Sequence, residues 1–246
     1  MIIFYFSGTG NSKYISELFA REMNCACHSI EEELDFKTLI KSAQTIAFCY
    51  PVYFSRVPRV MRGFAQRYME LLKDRKLIIF CTQQILSGDG ARAFAALLPK
   101  NHAQVVYAEH FFMPSNTAPI TTSVKKIKSY AEKAVPKMQK VCDNIKRGKV
   151  KKRGFNAGSR ALGLIQAPLL APAERKANRD IKITDDCTLC NVCVSACPMR
   201  NLKIENNAVI HNGNCTVCYR CINKCPQKAI NFFNIKIKKQ YKGIEV

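Results

Sequence analysis

The fold of the N-terminal region is decided by its opening stretch, Ile2-Ile3-Phe4-Tyr5-Phe6-Ser7-Gly8-Thr9-Gly10-Asn11-Ser12. The first five residues form an apolar run rich in β-branched and aromatic side chains, which is typical of a buried parallel strand. A helical pattern follows the stretch. Glycine-rich turns and helix starts present N–H groups to anions, so we predict that Ser7, Gly8, Thr9, Gly10, Asn11 and Ser12 hold a phosphate. The alternative interpretation is a plain turn that caps the helix.

Further apolar runs alternate with helical patterns along the next hundred residues. We expect strands near residues 26–30, 45–50, 76–82 and 104–113. Helices are expected from Pro58 onward, over 89–98 and over 123–147. Five strands alternating with helices predict an α/β fold with a doubly wound five-stranded parallel sheet. Ligands of such sheets bind at the carboxyl ends of the strands, which draws attention to the loops at 7–12, 51–57 and 82–90.

Two of these loops carry residues suited to a planar heterocycle. Adjacent aromatic side chains in the 51–57 loop can stack on such a ring, although either one can equally belong to the core. Backbone and amide groups in the 82–90 loop can bond the edge of the ring. The candidate ligand-binding residues are Pro51, Val52, Tyr53 and Phe54 in the first loop and Thr82, Gln83, Gly88 and Asp89 in the second.

Cysteine is concentrated near the C-terminal end. Eight of the 13 cysteines lie between Cys187 and Cys225, in two C-x2-C-x2-C-x3-C-P runs that start 28 residues apart. In such runs three cysteines ligate one cluster and the fourth ligates the other. We therefore assign one [4Fe–4S] centre to Cys187, Cys190, Cys193 and Cys225, and a second to Cys215, Cys218, Cys221 and Cys197. A pair of zinc sites is the alternative, but zinc usually takes two well-separated CxxC pairs.

Positive charge is concentrated ahead of the cysteines. The chain carries a net charge of +21, and residues 121–180 hold 16 basic against 4 acidic residues. This segment is either a solvated helix face with a tether or a surface that attracts an acidic redox partner. No nucleic-acid recognition motif and no apolar run of membrane-spanning length is present. The sequence lacks a secretory signal pattern, so we expect the protein in the cytoplasm.

The two motifs together resemble known families. The 7–12 loop after an N-terminal strand resembles the FMN-phosphate loop of flavodoxins, a likeness that covers residues 1–148. The cysteine runs resemble bacterial two-cluster ferredoxins over residues 181–233. In one chain they resemble the flavodoxin–ferredoxin fusion proteins of anaerobic bacteria. This resemblance implies a flavodoxin-like FMN domain at 1–148, a linker at 149–180 and a small α+β two-cluster domain at 181–246.

The resemblance implies electron transfer rather than a defined substrate reaction. We expect an electron carrier that shuttles low-potential electrons between two [4Fe–4S] clusters and FMN, and onward to a redox partner. No catalytic triad or carboxylate pair can be inferred, so no catalytic residues are assigned. One alternative is an FMN-dependent reductase that its own clusters supply with electrons and that acts on a small oxidised substrate. Another is a binding module with structural clusters and an empty nucleotide loop.

Overall fold

A computed structural model of the chain describes residues 1–86, 88–116, 123–232 and 239–244. Residue 87 of the 82–90 loop, and residues 233–238 and 245–246 of the C-terminal domain, lie outside this description. The strands are β1 (Ile2–Tyr5), β2 (Ala26–Ser29), β3 (Thr45–Pro51), β4 (Lys76–Gln83), β5 (Gln104–Phe112), β6 (Lys151–Lys152), β7 (Lys182–Ile183), β8 (Leu202–Glu205), β9 (Ala208–His211) and β10 (Ile230–Asn231).

Helices occupy much of the remaining chain. They are α1 (Asn11–Met23), α2 (Phe36–Ser42), α3 (Arg59–Arg67), α4 (Gly90–Ala95), α5 (Val124–Lys146), α6 (Ala157–Gln166), α7 (Leu170–Asp180), α8 (Val192–Ser195) and α9 (Arg220–Lys224). Two short 3₁₀ helices cover Met69–Leu72 and Ala167–Leu169. Among the described residues, none of these helices combines the length and the apolar character that crossing a membrane requires.

The main sheet is parallel, with the strand order β2-β1-β3-β4-β5-β6. Strand β1 pairs with β2 on one side and with β3 on the other, so the strand order reverses beside β1. The carboxyl ends of β1 and β3 therefore flank the point where doubly wound sheets bind ligands. This topology confirms the predicted α/β class.

The sheet has one strand more than the five that were predicted. After α5 the chain runs along the edge of the sheet, where β6 pairs in parallel with Tyr107 and Ala108 of β5. Two basic side chains hold it there, because Lys151 and Arg153 both bind the buried carboxylate of Glu109, at 2.7 and 3.1 Å. The first residues of the predicted linker therefore belong to the sheet.

Apolar side chains cover both faces of the sheet. On one face, α1 and α5 cover β1, β3 and β4, and Phe19 meets Phe80 edge to face at 5.0 Å. On the other face an aromatic core forms beneath α2, α3 and α4, where the rings of Phe48 and Phe94 lie 4.6 Å apart. Strands buried on both faces explain why the sequence shows apolar runs rather than alternation.

The C-terminal domain is a small α+β unit with its own core. Strands β7 and β10 pair antiparallel, as do β8 and β9. Helices α8 and α9 follow equivalent cysteines in the two repeated runs. Helices α6 and α7 lie in the segment predicted as a linker and lead into this domain, with Leu170 and Ala177 of α7 buried in its core.

Candidate functional site

A cavity of about 380 Å³ opens at the carboxyl ends of the central strands. It is called here the large cavity, and a second cavity of about 410 Å³, which Gly10 lines, shares Ser7, Gly8 and Thr9 with it. Its walls come from the loops after β1, β3, β4 and β5, from α7 and from the second cysteine run. The described residues that line it are Ser7, Gly8, Thr9, Asn11, Ser12, Pro51, Val52, Tyr53, Phe54, Thr82, Gln83, Gln84, Ile85, Leu86, Met113, Pro114, Ser115, Asn116, Ala173, Val217 and Tyr219.

The glycine loop after β1 is a tight turn that leads directly into α1. Gly10 has a φ of 106°, a left-handed conformation that disfavours a side chain, and its N–H donates to Ser7 Oγ at 3.0 Å. The hydroxyls of Ser12 and Thr82 lie 2.8 Å apart and connect this loop to the end of β4. None of the described residues that line the large cavity is charged. A phosphate there would be held by neutral donors and the helix N-terminus.

The loop after β3 forms a hairpin-like turn that places Phe54 at the mouth of the cavity. Tyr53 and Arg56 exchange two backbone hydrogen bonds, at 3.0 and 2.9 Å. The two residues between them, Phe54 and Ser55, both have left-handed φ angles, which are uncommon without glycine. The Ser55 hydroxyl accepts a hydrogen bond from the Gly88 N–H at 2.7 Å and bonds the Gln166 side chain of α6. These bonds hold the turn, and Phe54 remains 40% exposed.

The loop after β4 supplies an acceptor that suits the edge of a heterocycle. The side-chain oxygen Oε1 of Gln83 is buried and has no hydrogen-bond partner among the described residues. Gln83 lines the large cavity, so a ring N–H of a bound ligand would satisfy this oxygen. Ile85 and Leu86 stand 65% and 63% exposed beside it. The neutral phosphate loop, the unsatisfied amide and this apolar rim together fit FMN.

Gly88 and Asp89 do not reach the large cavity, contrary to the expectation from sequence. Helix α6 packs onto them so closely that a Cβ on Gly163 would lie 1.8 Å from Asp89 Oδ1. The Asp89 carboxylate is fully buried and pairs with Arg92 at 2.5 Å, and Arg56 lies 3.7 Å away. These two residues therefore shape the loop rather than contact a ligand.

Part of the cavity wall was not predicted from the sequence. Residues 113–116 follow β5, and Ala173 belongs to a helix in the predicted linker. Val217 and Tyr219 come from the C-terminal domain, on either side of Cys218. Position after a central strand could have indicated the first group, but no local signal marks the others.

The eight C-terminal cysteines surround two further cavities. None of the eight forms a disulfide. The inner quartet, Cys197, Cys215, Cys218 and Cys221, lines one cavity, and the outer quartet, Cys187, Cys190, Cys193 and Cys225, lines the other. Each cavity thus draws three cysteines from one run and the fourth from the other, which is the arrangement that the spacing predicts. Cys218 is buried, whereas Cys190 is exposed.

The backbone around the two quartets repeats residue by residue. Left-handed φ angles occur at equivalent positions in the two runs, at Leu189 and Val217, Asn191 and Tyr219, and Arg200 and Lys228. The sulfurs of Cys197 and Cys225 each accept an N–H from the residue four positions later, at 3.2 and 3.3 Å. N–H donors aimed at cysteine sulfur stabilise the charge of a ligated cluster.

The buried thiols of the inner quartet suit ligands of a bound metal centre. Burial raises the pKa of Cys215 to about 11 and that of Cys218 to about 12, so these sulfurs need a bound cation to persist as thiolates. Within the described ranges, no three His, Cys, Asp or Glu side chains converge on a single-ion site. The sulfurs instead enclose a space, as the ligands of a cubane do.

Arg220, located between Cys218 and Cys221, joins the second cysteine run to the glycine loop. Its guanidinium donates to the backbone oxygens of Ser7 and Gly8 at 2.7 and 3.1 Å. It also pairs with Glu31 at 2.6 Å. The arginine therefore fastens the inner quartet to the loop that would hold the phosphate.

The fold and these sites define a class of two-domain redox proteins, with a flavodoxin-like α/β domain and a small ferredoxin-type domain. The chain belongs to the flavodoxin domain family, whose sequence profile matches residues 2–160. A second profile, the 4Fe-4S dicluster domain, matches residues 179–226. The chain is thus a flavodoxin–ferredoxin fusion with an electron-transfer role.

Solved structures similar to the first domain share little sequence with it. A flavodoxin, WrbA-like protein from Agrobacterium tumefaciens shares 18% identity and aligns over 58% of this chain and 96% of its own, with a TM-score of 0.40. General stress protein 14 from Treponema denticola, in complex with FMN, shares 13% identity and aligns over 58% of this chain and 97% of its own, with a TM-score of 0.44. Two-electron reduced flavodoxin from Megasphaera elsdenii shares 22% identity and aligns over 55% of this chain and 99% of its own, with a TM-score of 0.41. No curated protein sequence matches the chain.

Proposed function

We propose that this protein transfers electrons between a low-potential partner protein and FMN through two [4Fe–4S] clusters. The observation that carries the proposal is a wall that the large cavity shares with the loop of the inner quartet. The large cavity is lined by the glycine loop and also by Val217 and Tyr219, which flank Cys218 of the inner quartet. A ligand in this cavity would therefore lie directly beside a cluster ligand loop.

The chain's residues would hold FMN through three loops. We assign the phosphate to Ser7, Gly8, Thr9, Gly10, Asn11 and Ser12, and the ring to Pro51, Val52, Tyr53, Phe54, Thr82 and Gln83. Gly88 and Asp89 are omitted from this set because α6 covers them. Bound FMN would supply a centre that accepts one or two electrons, whereas each cluster exchanges one.

The two quartets would hold the clusters with exchanged fourth ligands. The N–H donors around them, their burial and the thiolate ligands would set their potentials. Cysteines that ligate clusters must not be oxidised to disulfides, which suits a reducing compartment, so we place the protein in the cytoplasm. We further propose that the partner is acidic, because exposed lysines and arginines dominate the 146–153 segment.

Anaerobic purification with simultaneous assay of iron, sulfide and flavin tests this proposal. We expect about eight irons, eight sulfides and one FMN per chain. Cys190→Ser should reduce the iron content or convert one cluster, whereas Cys142→Ser should leave it unchanged, since Cys142 is buried in the core of the first domain. Retained zinc in place of iron, or no FMN after reconstitution, would contradict the proposal.

A second function is favoured by the open apolar rim of the large cavity. Phe54, Ile85 and Leu86 are all exposed at its edge, which gives a small substrate a route to a bound ring. The protein would then be an FMN-dependent reductase supplied by its own clusters. Reoxidation of the reduced protein by a panel of small quinones and nitroaromatics distinguishes the two functions: saturable rates well above those of free reduced FMN favour the reductase.

A further inference from the structure

A buried hydroxyl without a partner lies where the two domains meet. The hydroxyl of Tyr53 is buried, and it has no hydrogen-bond partner among the described residues. Buried tyrosine hydroxyls normally donate to an acceptor, so this one indicates a group that the described residues do not supply. The ring of Tyr53 is held in place by the backbone pairing with Arg56.

Tyr53 and Cys218 approach each other from opposite domains. Tyr53, in the loop after β3, packs against the core of the cysteine domain. Cys218 in turn belongs to the core of the flavodoxin domain. Both lie against Gly8, because a Cβ there would lie 3.5 Å from the Tyr53 hydroxyl and 2.6 Å from the Cys218 carbonyl oxygen. The hydroxyl and the loop of the inner quartet therefore meet at one point.

The two quartets differ in their relation to the large cavity. Two neighbours of Cys218 line that cavity, but no residue from the 187–193 run is among its described lining residues. Cys190 of the outer quartet is exposed instead. The inner quartet thus adjoins the flavin site, and the outer quartet reaches the protein surface.

We propose that the Tyr53 hydroxyl donates a hydrogen bond to an inorganic sulfide of the cluster held by the inner quartet, which is the cluster adjacent to the flavin. This inference rests on the proposed function, since it requires that clusters and flavin are bound. Hydrogen bonds to cluster sulfurs stabilise the more negative, reduced state and raise the reduction potential. Tyr53 would thereby adjust the potential of the inner cluster without affecting the outer one.

The test is an anaerobic redox titration of the full FMN-loaded chain, followed by the EPR signals of the reduced clusters. Tyr53→Phe keeps the ring and removes the hydroxyl. Cys190→Ala, which alters only the outer quartet, assigns the two signals. We expect Tyr53→Phe to lower the midpoint potential of the inner cluster and to leave the outer cluster and the iron content unchanged. The control is Tyr14→Phe, because the Tyr14 hydroxyl donates to the Ala131 carbonyl on the far face of the sheet.

Two results of this titration overturn the proposal: a shift in the midpoint potential of the outer cluster, or no shift in the midpoint potential of either cluster. A second arm uses the native chain, to which FMN is added after flavin-free purification. We expect bound FMN to change the EPR signal of the inner cluster alone, and a change in the outer signal alone would again overturn the proposal. Failure to bind FMN contradicts the proposed function, whereas the same Tyr53→Phe titration of the flavin-free chain still decides the hydroxyl contact. If Tyr53→Phe assembles no clusters, the arm with added FMN still shows which of the two clusters lies next to the flavin.

Discussion

Gly8 is the residue on which the contact between the two domains depends most directly. A Cβ at this position would lie 2.6 Å from the backbone carbonyl oxygen of Cys218. That backbone is part of the second cysteine run and is fixed by the fold of this loop. The glycine is therefore required by a neighbour from the second domain, in addition to any role toward a phosphate. Sequence alone indicates only the role toward a phosphate.

We expect Gly8→Ala to destabilise the protein by about 1–3 kcal/mol, because overpacking forces one of two backbones to move. Denaturant unfolding measures this loss. Gly63→Ala is the matched control, since nothing lies within 4 Å of a Cβ at that exposed helical position. Its stability should be unchanged or up to about 1 kcal/mol higher. Equal effects of the two substitutions would argue against the domain contact.

Glu109 is a buried carboxylate that three basic side chains surround. Burial opposes its charge, but the hydrogen bond from Lys151 and the charge of Lys137 outweigh that effect and lower its pKa from 4.5 to about 2. Lys137 and Lys151 lie 3.2 and 2.7 Å from it. These lysines belong to the basic segment, which is thus partly structural rather than wholly a surface for partners.

We expect Glu109→Gln to lower the free energy of unfolding by about 3 kcal/mol at pH 7. Because the folded pKa is depressed, the stabilisation by the carboxylate is complete above about pH 4.5 and disappears as the pH falls toward 2. The difference between native protein and variant should therefore shrink over that window. Unfolding titrations across pH measure it, with Glu132→Gln on the exposed face of α5 as the control. A difference that stays constant with pH would contradict this assignment.

Arg220 connects two elements, the α9 end of the second cysteine run and the glycine loop. It donates to two loop carbonyls and pairs with Glu31. A lysine supplies a single ammonium that cannot reproduce this planar set of contacts. Arg220→Lys should therefore loosen the contact between the domains while the clusters and flavin stay bound.

We expect Arg220→Lys to slow flavin reduction by the clusters at least about tenfold, which corresponds to about 1.4 kcal/mol. Stopped-flow absorbance measures the rate, and iron and flavin assays establish the cofactor content. Arg200→Lys provides the control, as Arg200 is an exposed arginine of the same domain. An unchanged rate of flavin reduction in Arg220→Lys would show that the contacts of Arg220 do not position the two domains for electron transfer.

The elements that the sequence predicted well are those with a strong local signal. The β1–glycine loop–α1 unit follows from a short motif, and the cysteines that line each small cavity are those that the spacing groups together. Helix α2 was not predicted, because seven residues hold too few turns for a clear period, although Asp35 caps it through the N–H groups of Lys37 and Thr38. Strand β6 has only two residues, and its pairing depends on Glu109, which is distant in sequence.

The segment at 149–180 shows why tertiary contacts escaped prediction. The resemblance to fusion proteins implied only a linker over these residues. Helix α6 instead approaches through Gly163, which lies against Gly88 and Asp89, while Leu164 and Ile165 remain exposed. Close packing through a glycine leaves no hydrophobic periodicity to detect. The same contact removes Gly88 and Asp89 from the candidate flavin site.

At the scale of the whole molecule, the charge would stay strongly positive with the proposed cofactors bound. Two oxidised clusters and an FMN phosphate each contribute about −2, which leaves about +15 of the formal +21. We expect association with an acidic redox protein to slow steeply as salt rises from about 0.01 to 0.15 M, because the Debye length shortens. Stopped-flow mixing with an acidic ferredoxin measures the rate, and a basic cytochrome is the control. Salt-independent association would contradict an electrostatic landing surface.

The shared wall between the large cavity and the inner quartet is the central feature of the molecule, and intrachain electron transfer tests it most directly. The FMN-loaded protein is mixed anaerobically with a reduced, low-potential ferredoxin while the cluster and flavin absorbance bands are followed separately. We predict that the clusters bleach first, at a rate that depends on donor concentration, and that the flavin follows at a rate independent of protein concentration. Flavin that bleaches no faster than free FMN, while the clusters remain reduced, would contradict it.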